Sequence, residues 1–316
     1  MMTPGEGRRT TPTGLTAGPR RGTLCAGAPV MSQLGVPLRP LGLGDLFDGA
    51  VRIFRQQFGL LFGMSVLALT PIAVIGAAVQ LLAAALARTA GPATAVLLFV
   101  PLLLSVPIYF AAFDVSFGAQ VYAVSQARFG RRTTMGEAFR HALRHFWPML
   151  GVQLVYLIAL GLMFVTFIGI PFALYFAIAW GFVFHAVLLE DAGVFAAFGR
   201  SRQLVRGYWW RTLGFTLLFM LFILVVSLGV LFVLSLIGFA IGFLATASGG
   251  GSGALESPVY IVLSTVLNLL GSAITTPLTY CAWVLYYYDL RVRKEGLDLA
   301  VRAEELAPTA PPVTTR

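Results

Sequence analysis

Long uncharged apolar stretches alternate along this chain with short arginine-bearing segments. The apolar stretches run over 58–87, 89–127, 149–189 and 212–289, while 21 of the 22 Lys and Arg residues fall in the four segments around them. A helix of about 20 residues crosses a hydrocarbon core about 30 Å thick, so each stretch holds at least one span. In the basic segments the apolar positions instead recur every three to four residues with Arg on the other face, the pattern of a helix lying at a membrane surface. The pattern predicts an all-α polytopic membrane protein with six transmembrane helices in three hairpins, each hairpin preceded by a cytoplasmic amphipathic interfacial helix.

The number of spans follows from charge. Arg8, Arg9, Arg20, Arg21, Arg39, Arg52 and Arg55 precede the first stretch, and five arginines lie near 128–144. Arg200, Arg202, Arg206 and Arg211 form the third group, and five cations follow Asp289. Cations collect on the cytoplasmic side, so an even number of crossings separates each group from the next. Hairpins at 58–127, 149–189 and 212–289 result, with both termini cytoplasmic. The connecting loops, around Gly91 and Pro92, around Gly169 to Pro171, and from Ser248 to Ser257, carry at most Arg88 and Glu256. The stretches 89–127 and 212–247 exceed one vertical span. One crossing each is expected, with the excess taken up by tilt, by projection or by a break at Pro101 or Pro107.

Composition agrees: 58% of residues are hydrophobic and 11% charged, which sets aside a water-soluble core. The net charge of +9 is interrupted by spans and so points to anionic headgroups rather than nucleic acid. Residues 1–40 and 301–316 read as loose tails around a transmembrane domain at 41–300, and Met31 opens a more natural start than Met1. Cys25 and Cys281 lie in differently solvated regions and form no disulfide framework.

A shift of 92 residues brings Gly44, Asp45, Phe47, Ala50, Arg52, Phe54 and Gly59 onto Gly136, Glu137, Phe139, Ala142, Arg144, Phe146 and Gly151. A more diverged copy lies at 198–210, where Phe198 and Ser201 replace Phe139 and Ala142, and Tyr208, Trp209 and Trp210 supply interfacial aromatics. The runs PLGLGDLFDGAVRIFRQQF, FGRSRQLVRGYWWRTLG and YYYDLRVRKEGLDL resemble the bacterial glycerophosphoryl diester phosphodiesterase membrane-domain family over roughly residues 38–300. The resemblance implies a bacterial inner-membrane location. In the family's namesake proteins this membrane part is joined to a soluble phosphodiesterase domain. About 28 residues follow Tyr288, against about 250 for a catalytic barrel, so the enzymatic activity is not expected to carry over.

Few residues offer chemistry. Asp114 lies about 21 Å along a helix from Arg128, near mid-membrane, where a carboxylate must be protonated, paired or watered. Its expected companions are Asn268, Thr275 and Thr276 of the last span, either as hydrogen-bond partners or as a proton or cation site. Arg140, Arg144, Arg202 and Arg206 are the candidate headgroup-binding residues. Glu137, His141 and His145 share one helix side and read as a solvated or headgroup-facing stripe rather than a metal site. Glu190, Asp191 and Asp289 are expected to pair with nearby arginines at the interface. Gly59 with Gly63, and Gly238 with Gly242, have the spacing of close helix contacts. The chain has no GxxxxGK[ST], GxSxG or HExxH motif, and no cofactor is expected.

These features point to a noncatalytic multi-pass membrane protein acting as a scaffold, accessory subunit or lipid-organising factor. Its expected partners are the bilayer, anionic headgroups and other membrane proteins. The alternative is a transporter or export factor that uses Asp114.

Overall fold

The computed structural model describes residues 40–86, 92–166, 168–247 and 258–296. The expected loose tails, the alternative start at Met31 and the loops at Gly91 and at 248–257 lie outside the described residues. Three units follow one another. The first is α1 (Leu43–Gln56), α2 (Phe58–Leu86) and α3 (Pro92–Arg128); the second is α4 (Met135–Arg144), α5 (Phe146–Val165), α6 (Gly169–Ala179) and α7 (Val183–Glu190); the third is α8 (Val194–Val205), α9 (Trp209–Ala247) and α10 (Pro258–Glu295). The short helices α1, α4 and α8 each lead into a hairpin, and six helical segments are long and apolar enough to cross a membrane. The protein is thus an all-α, six-span membrane protein built from three hairpins.

Both overlong stretches contain one crossing. Pro101 and Pro107 sit inside α3 without ending it. The fourth span, by contrast, is interrupted between α6 and α7 at Trp180, Gly181 and Phe182. Ser201 of α8 closes this gap: its hydroxyl donates to the Ala179 carbonyl at 2.8 Å and accepts from the Phe182 N–H at 3.1 Å. Two backbone groups freed by the break are therefore satisfied inside the protein, as a membrane interior demands.

The repeat is visible as a shared construction. Asp45 Oδ2 accepts from the Gly42 N–H at 3.1 Å ahead of α1, and Glu137 Oε2 accepts from the Thr134 N–H at 3.0 Å ahead of α4. A carboxylate three residues into a helix thus caps both starts and complements the helix dipole. At the matched docking position stand Ala50, Ala142 and Ser201, all buried. Small side chains are required there because the backbones come close. A Cβ on Gly118 of α3 would fall 2.9 Å from the Ala142 Cβ and 3.3 Å from its Cα. Likewise Gly63 of α2 leaves room for the Met135 methyl of α4, whereas a Cβ on Gly238 would meet open space.

The interior is densest toward the end that carries the arginines. Phe182, Phe215, Tyr286 and Tyr287 are buried there, with the Phe215 and Tyr286 rings stacked at 4.0 Å between centroids. Away from this end, large apolar side chains on α5 and α9 such as Leu162 and Phe232 point outward, as a lipid-facing wall requires. Gly118→Val is expected to overpack the α3–α4 contact and destabilise the protein by about 1–3 kcal/mol. Thermal unfolding of the detergent-solubilised protein checks this, and an unchanged midpoint would show that α4 does not bear on α3.

Candidate functional site

The cations at the ends of the spans fall into two groups. Asp289 organises the first. Its carboxylate, fully buried on α10, accepts from the Leu41 N–H at 2.7 Å, from Arg293 at 2.9 Å and from Arg211 at 3.2 Å. The same two arginines donate to the Leu41 carbonyl, at 2.6 and 2.8 Å. One carboxylate and two cations thereby tie the approach to α1 onto the start of α9 and the end of α10. The expected interfacial pairing of Asp289 is present, but it is interior rather than solvated.

Glu190, at the end of α7, anchors a second cluster. It accepts from Arg200 of α8 at 2.5 and 2.9 Å, in a two-pronged pair, and from the Tyr287 hydroxyl; Arg291 lies 3.5 Å away. Glu295 joins Arg200 at 2.5 Å and Arg291 at 3.1 Å. Hydrogen bonds first to Glu190 and then to Glu295 raise the Arg200 pKa. These contacts lock the second unit to the third.

Four further cations stand outside both clusters. Arg140, Arg144, Arg202 and Arg206, the headgroup candidates, are exposed and hold no ion pair among the described residues. Trp147, 75% exposed, follows the α4 arginines, and Trp210, 78% exposed, follows those of α8. Arginines flanked by exposed indoles match the headgroup depth of a bilayer.

The stripe on α4 differs from expectation. His141 packs inward, donating to the Leu188 carbonyl at 3.0 Å and stacking on Tyr122 at 4.1 Å between centroids. Burial, the largest cause, lowers its pKa. His145 Nε2 lies 2.6 Å from Asp191 Oδ1, so Asp191 pairs with a histidine and not with an arginine. Only Glu137 of the three faces outward, because α4 turns its histidines toward α7 to seal the two helix ends together. Among the described residues no group of three His, Cys, Asp or Glu side chains gathers as a metal site.

Asp114 is buried, and its partner is a residue that the sequence reading missed. With its nitrogen turned toward the carboxylate, the Gln153 amide of α5 donates to Oδ1 at 3.2 Å and Oδ2 at 3.0 Å. The expected companions lie elsewhere. Asn268 donates to the Ser264 carbonyl at 2.8 Å and Thr275 to the Gly271 carbonyl at 3.2 Å, both within α10. Asn268 and Thr276 line a cavity between α2, α3 and α10 whose lining does not include Asp114. The correction is one of rotation: packing turns Asp114 toward α5 and away from the stretch of α10 that carries Asn268 and Thr276. Gln153 is the one amide in its span, and that was the signal available in the sequence.

Arg128 closes α3 with its guanidinium fully buried, 5.9 Å from the centroid of the Tyr288 ring and without a hydrogen-bond partner among the described residues. Replacing Asp289 by Asn is expected to cost about 3 kcal/mol, the lower end for a broken buried pair because both arginines retain access to water. Asp191→Asn, at an exposed pair, is expected to cost less than about 1 kcal/mol. Thermal unfolding of both variants checks the contrast.

A family model described as Domain of unknown function (DUF7847) matches residues 171–290. The match covers less than half of the chain, and it spans most of α6 through most of α10, including the Ser201-bridged break and the carboxylates Glu190 and Asp289, while Leu41, Arg291, Arg293 and Glu295 of the two clusters lie outside it. No curated protein and no solved structure matches the chain.

Proposed function

We propose that the protein is a noncatalytic, lipid-organising membrane protein, a scaffold or accessory subunit of the bacterial inner membrane. In this reading α4 and α8 lie on the cytoplasmic surface and hold anionic headgroups through Arg140, Arg144, Arg202 and Arg206. The observation that carries the reading is the division of the cations. Arg200, Arg211, Arg291 and Arg293 are consumed by Glu190, Glu295 and Asp289, while the four on the outer faces of α4 and α8 are exposed beside Trp147 and Trp210. An internal role accounts for the first group and leaves the second for a partner outside the chain. Anionic lipid supplies that partner at the depth where these indoles sit.

The positive-inside rule supports placing this face, and both termini, in the cytoplasm. The likeness of the segments at 40–58, 198–214 and 286–299 to the phosphodiesterase membrane-domain family supports a membrane part that works without the catalytic domain. A transporter reading needs Asp114 to face a hydrated path, and its bonding to buried contacts with Gln153 favours the headgroup reading.

The test uses the full chain in nanodiscs containing phosphatidylglycerol, with bound lipid counted by native mass spectrometry. Arg140→Glu with Arg144→Glu, or Arg202→Glu with Arg206→Glu, is expected to lower anionic-lipid retention at least about thirtyfold, from about 1 kcal/mol for each of the two cations removed from an anionic surface. Unchanged retention in both double variants would overturn the reading.

A further inference from the structure

The cavity between α2, α3 and α10 holds about 500 Å³, a volume typical of small-molecule sites. It exists because α2 presents Ala73, Gly76 and Ala77 to it, three small side chains within about one helical turn. Its place in the membrane follows from the helices. Asn268 lies about 20 residues, or about 30 Å along α10, from Asp289 at the arginine-bearing end. The rim at Gln80, Tyr109 and Asn268 therefore sits in the leaflet opposite the arginines, and the floor at Ser116 and Tyr280 lies near mid-membrane.

The lining chemistry is uncharged and rich in acceptors. Ser264 and Thr265 donate their hydroxyl protons to the Ile261 carbonyl at 3.0 and 2.8 Å, and Asn268 donates its amide to Ser264, which leaves oxygen lone pairs for the cavity. One turn beneath the floor on the same helix faces, Ser65 Oγ and Gln120 Oε1 are fully buried without a hydrogen-bond partner among the described residues. Gln120 donates its amide to Ser116 at 3.0 Å, and its oxygen remains an acceptor, while the Ser65 hydroxyl can both donate and accept. An α10 wall whose hydroxyl protons are already donated to the backbone offers oxygen lone pairs to a ligand that donates. A charged headgroup is excluded by the cost of burying it with no counter-charge among the lining residues. Beside the chamber, a largely apolar crevice of about 740 Å³ between α9 and α10 shares Ser264 and Asn268 with it, which gives a place for a hydrocarbon chain.

We infer that this chamber binds an uncharged lipid with a free hydroxyl group, taken laterally from the leaflet opposite the arginine face. The hydroxyl donates into the Ser264, Thr265 and Asn268 acceptors, and the acyl chain lies in the α9–α10 crevice. The site is separate from the headgroup surface of α4 and α8 and stands or falls independently of it.

The experiment uses the full chain in phosphatidylcholine nanodiscs doped with a photoactivatable diacylglycerol, with crosslinks mapped by peptide mass spectrometry. Labels are expected on the chamber faces of α2, α3 and α10. A Cβ at Gly76 would meet open space, so Gly76→Phe puts its ring where the chamber is and is expected to cut this labelling about tenfold. Gly229→Phe on α9, also in open space, is the control and leaves it unchanged. Asn268→Leu keeps the volume but removes acceptors and lowers labelling about fivefold, the worth of about one hydrogen bond. Melting midpoints matching the parent confirm that the variants fold; if Gly76→Phe does not, Asn268→Leu decides alone. The inference is overturned if labels spread evenly over lipid-facing helices, if both variants label like the parent, or if a photoactivatable phosphatidic acid labels the chamber as well as diacylglycerol. Loss of headgroup retention in the arginine variants with chamber labelling intact would separate the two sites.

Discussion

A carboxylate withdrawn from water sits where the ends of the chain's first and third units meet. Asp289 has no access to solvent, and a buried charge is tolerated only when its partners and its remaining lone pairs are all supplied. Leu41, Arg211 and Arg293 supply them, and those three positions come from the start of the first unit, the start of α9 and the end of α10. The geometry of the whole arginine-bearing face is referred to this point. Glu190 repeats the device between the second and third units, with Arg200, Arg291 and Tyr287 around it. Because α10 contributes to both clusters, it is the common member against which the other units are set.

The repeated unit explains why the same end of the molecule is both the best packed and the most charged. Each interfacial helix docks through a small residue, Ala50, Ala142 or Ser201, and turns arginines outward, with Arg200 of α8 the exception that pairs inward. In the third copy the small residue has gained a hydroxyl, and that hydroxyl holds the interrupted fourth span together. A position that serves only close approach in two units has thereby acquired a hydrogen-bonding task in the third. The halves of the helices far from the arginines make fewer polar contacts with one another, and there α2, α3 and α10 separate enough to leave a chamber.

Spans, interfacial helices and their threefold recurrence were legible in the sequence because they rest on one-dimensional properties: the length of an uncharged run, the period of apolar residues and the position of arginines. Rotation about a helix axis is not such a property. The sequence placed Asp114 well inside the second span, yet which neighbour it meets depends on how α3 packs, and Gln153 of α5 receives it instead of Asn268, Thr275 or Thr276. The separation of paired from unpaired arginines was hidden for the same reason, since Arg200 and Arg202 are two residues apart and face opposite ways. The break at 180–182 left no proline as a signal. Gly181 lies within it, and the groups it frees are met by a serine on another helix.

Arg128 and Asp114 together have a mechanical consequence. One buried cation lies beside Tyr288 of α10, and one buried carboxylate is matched to Gln153 of α5, both carried on the continuous rod of α3. Sliding that rod by a single helical turn, about 5.4 Å, would strip the acid from its amide and carry the guanidinium away from the tyrosine. The third helix is therefore held against sliding along its own axis by both of its buried ionisable groups.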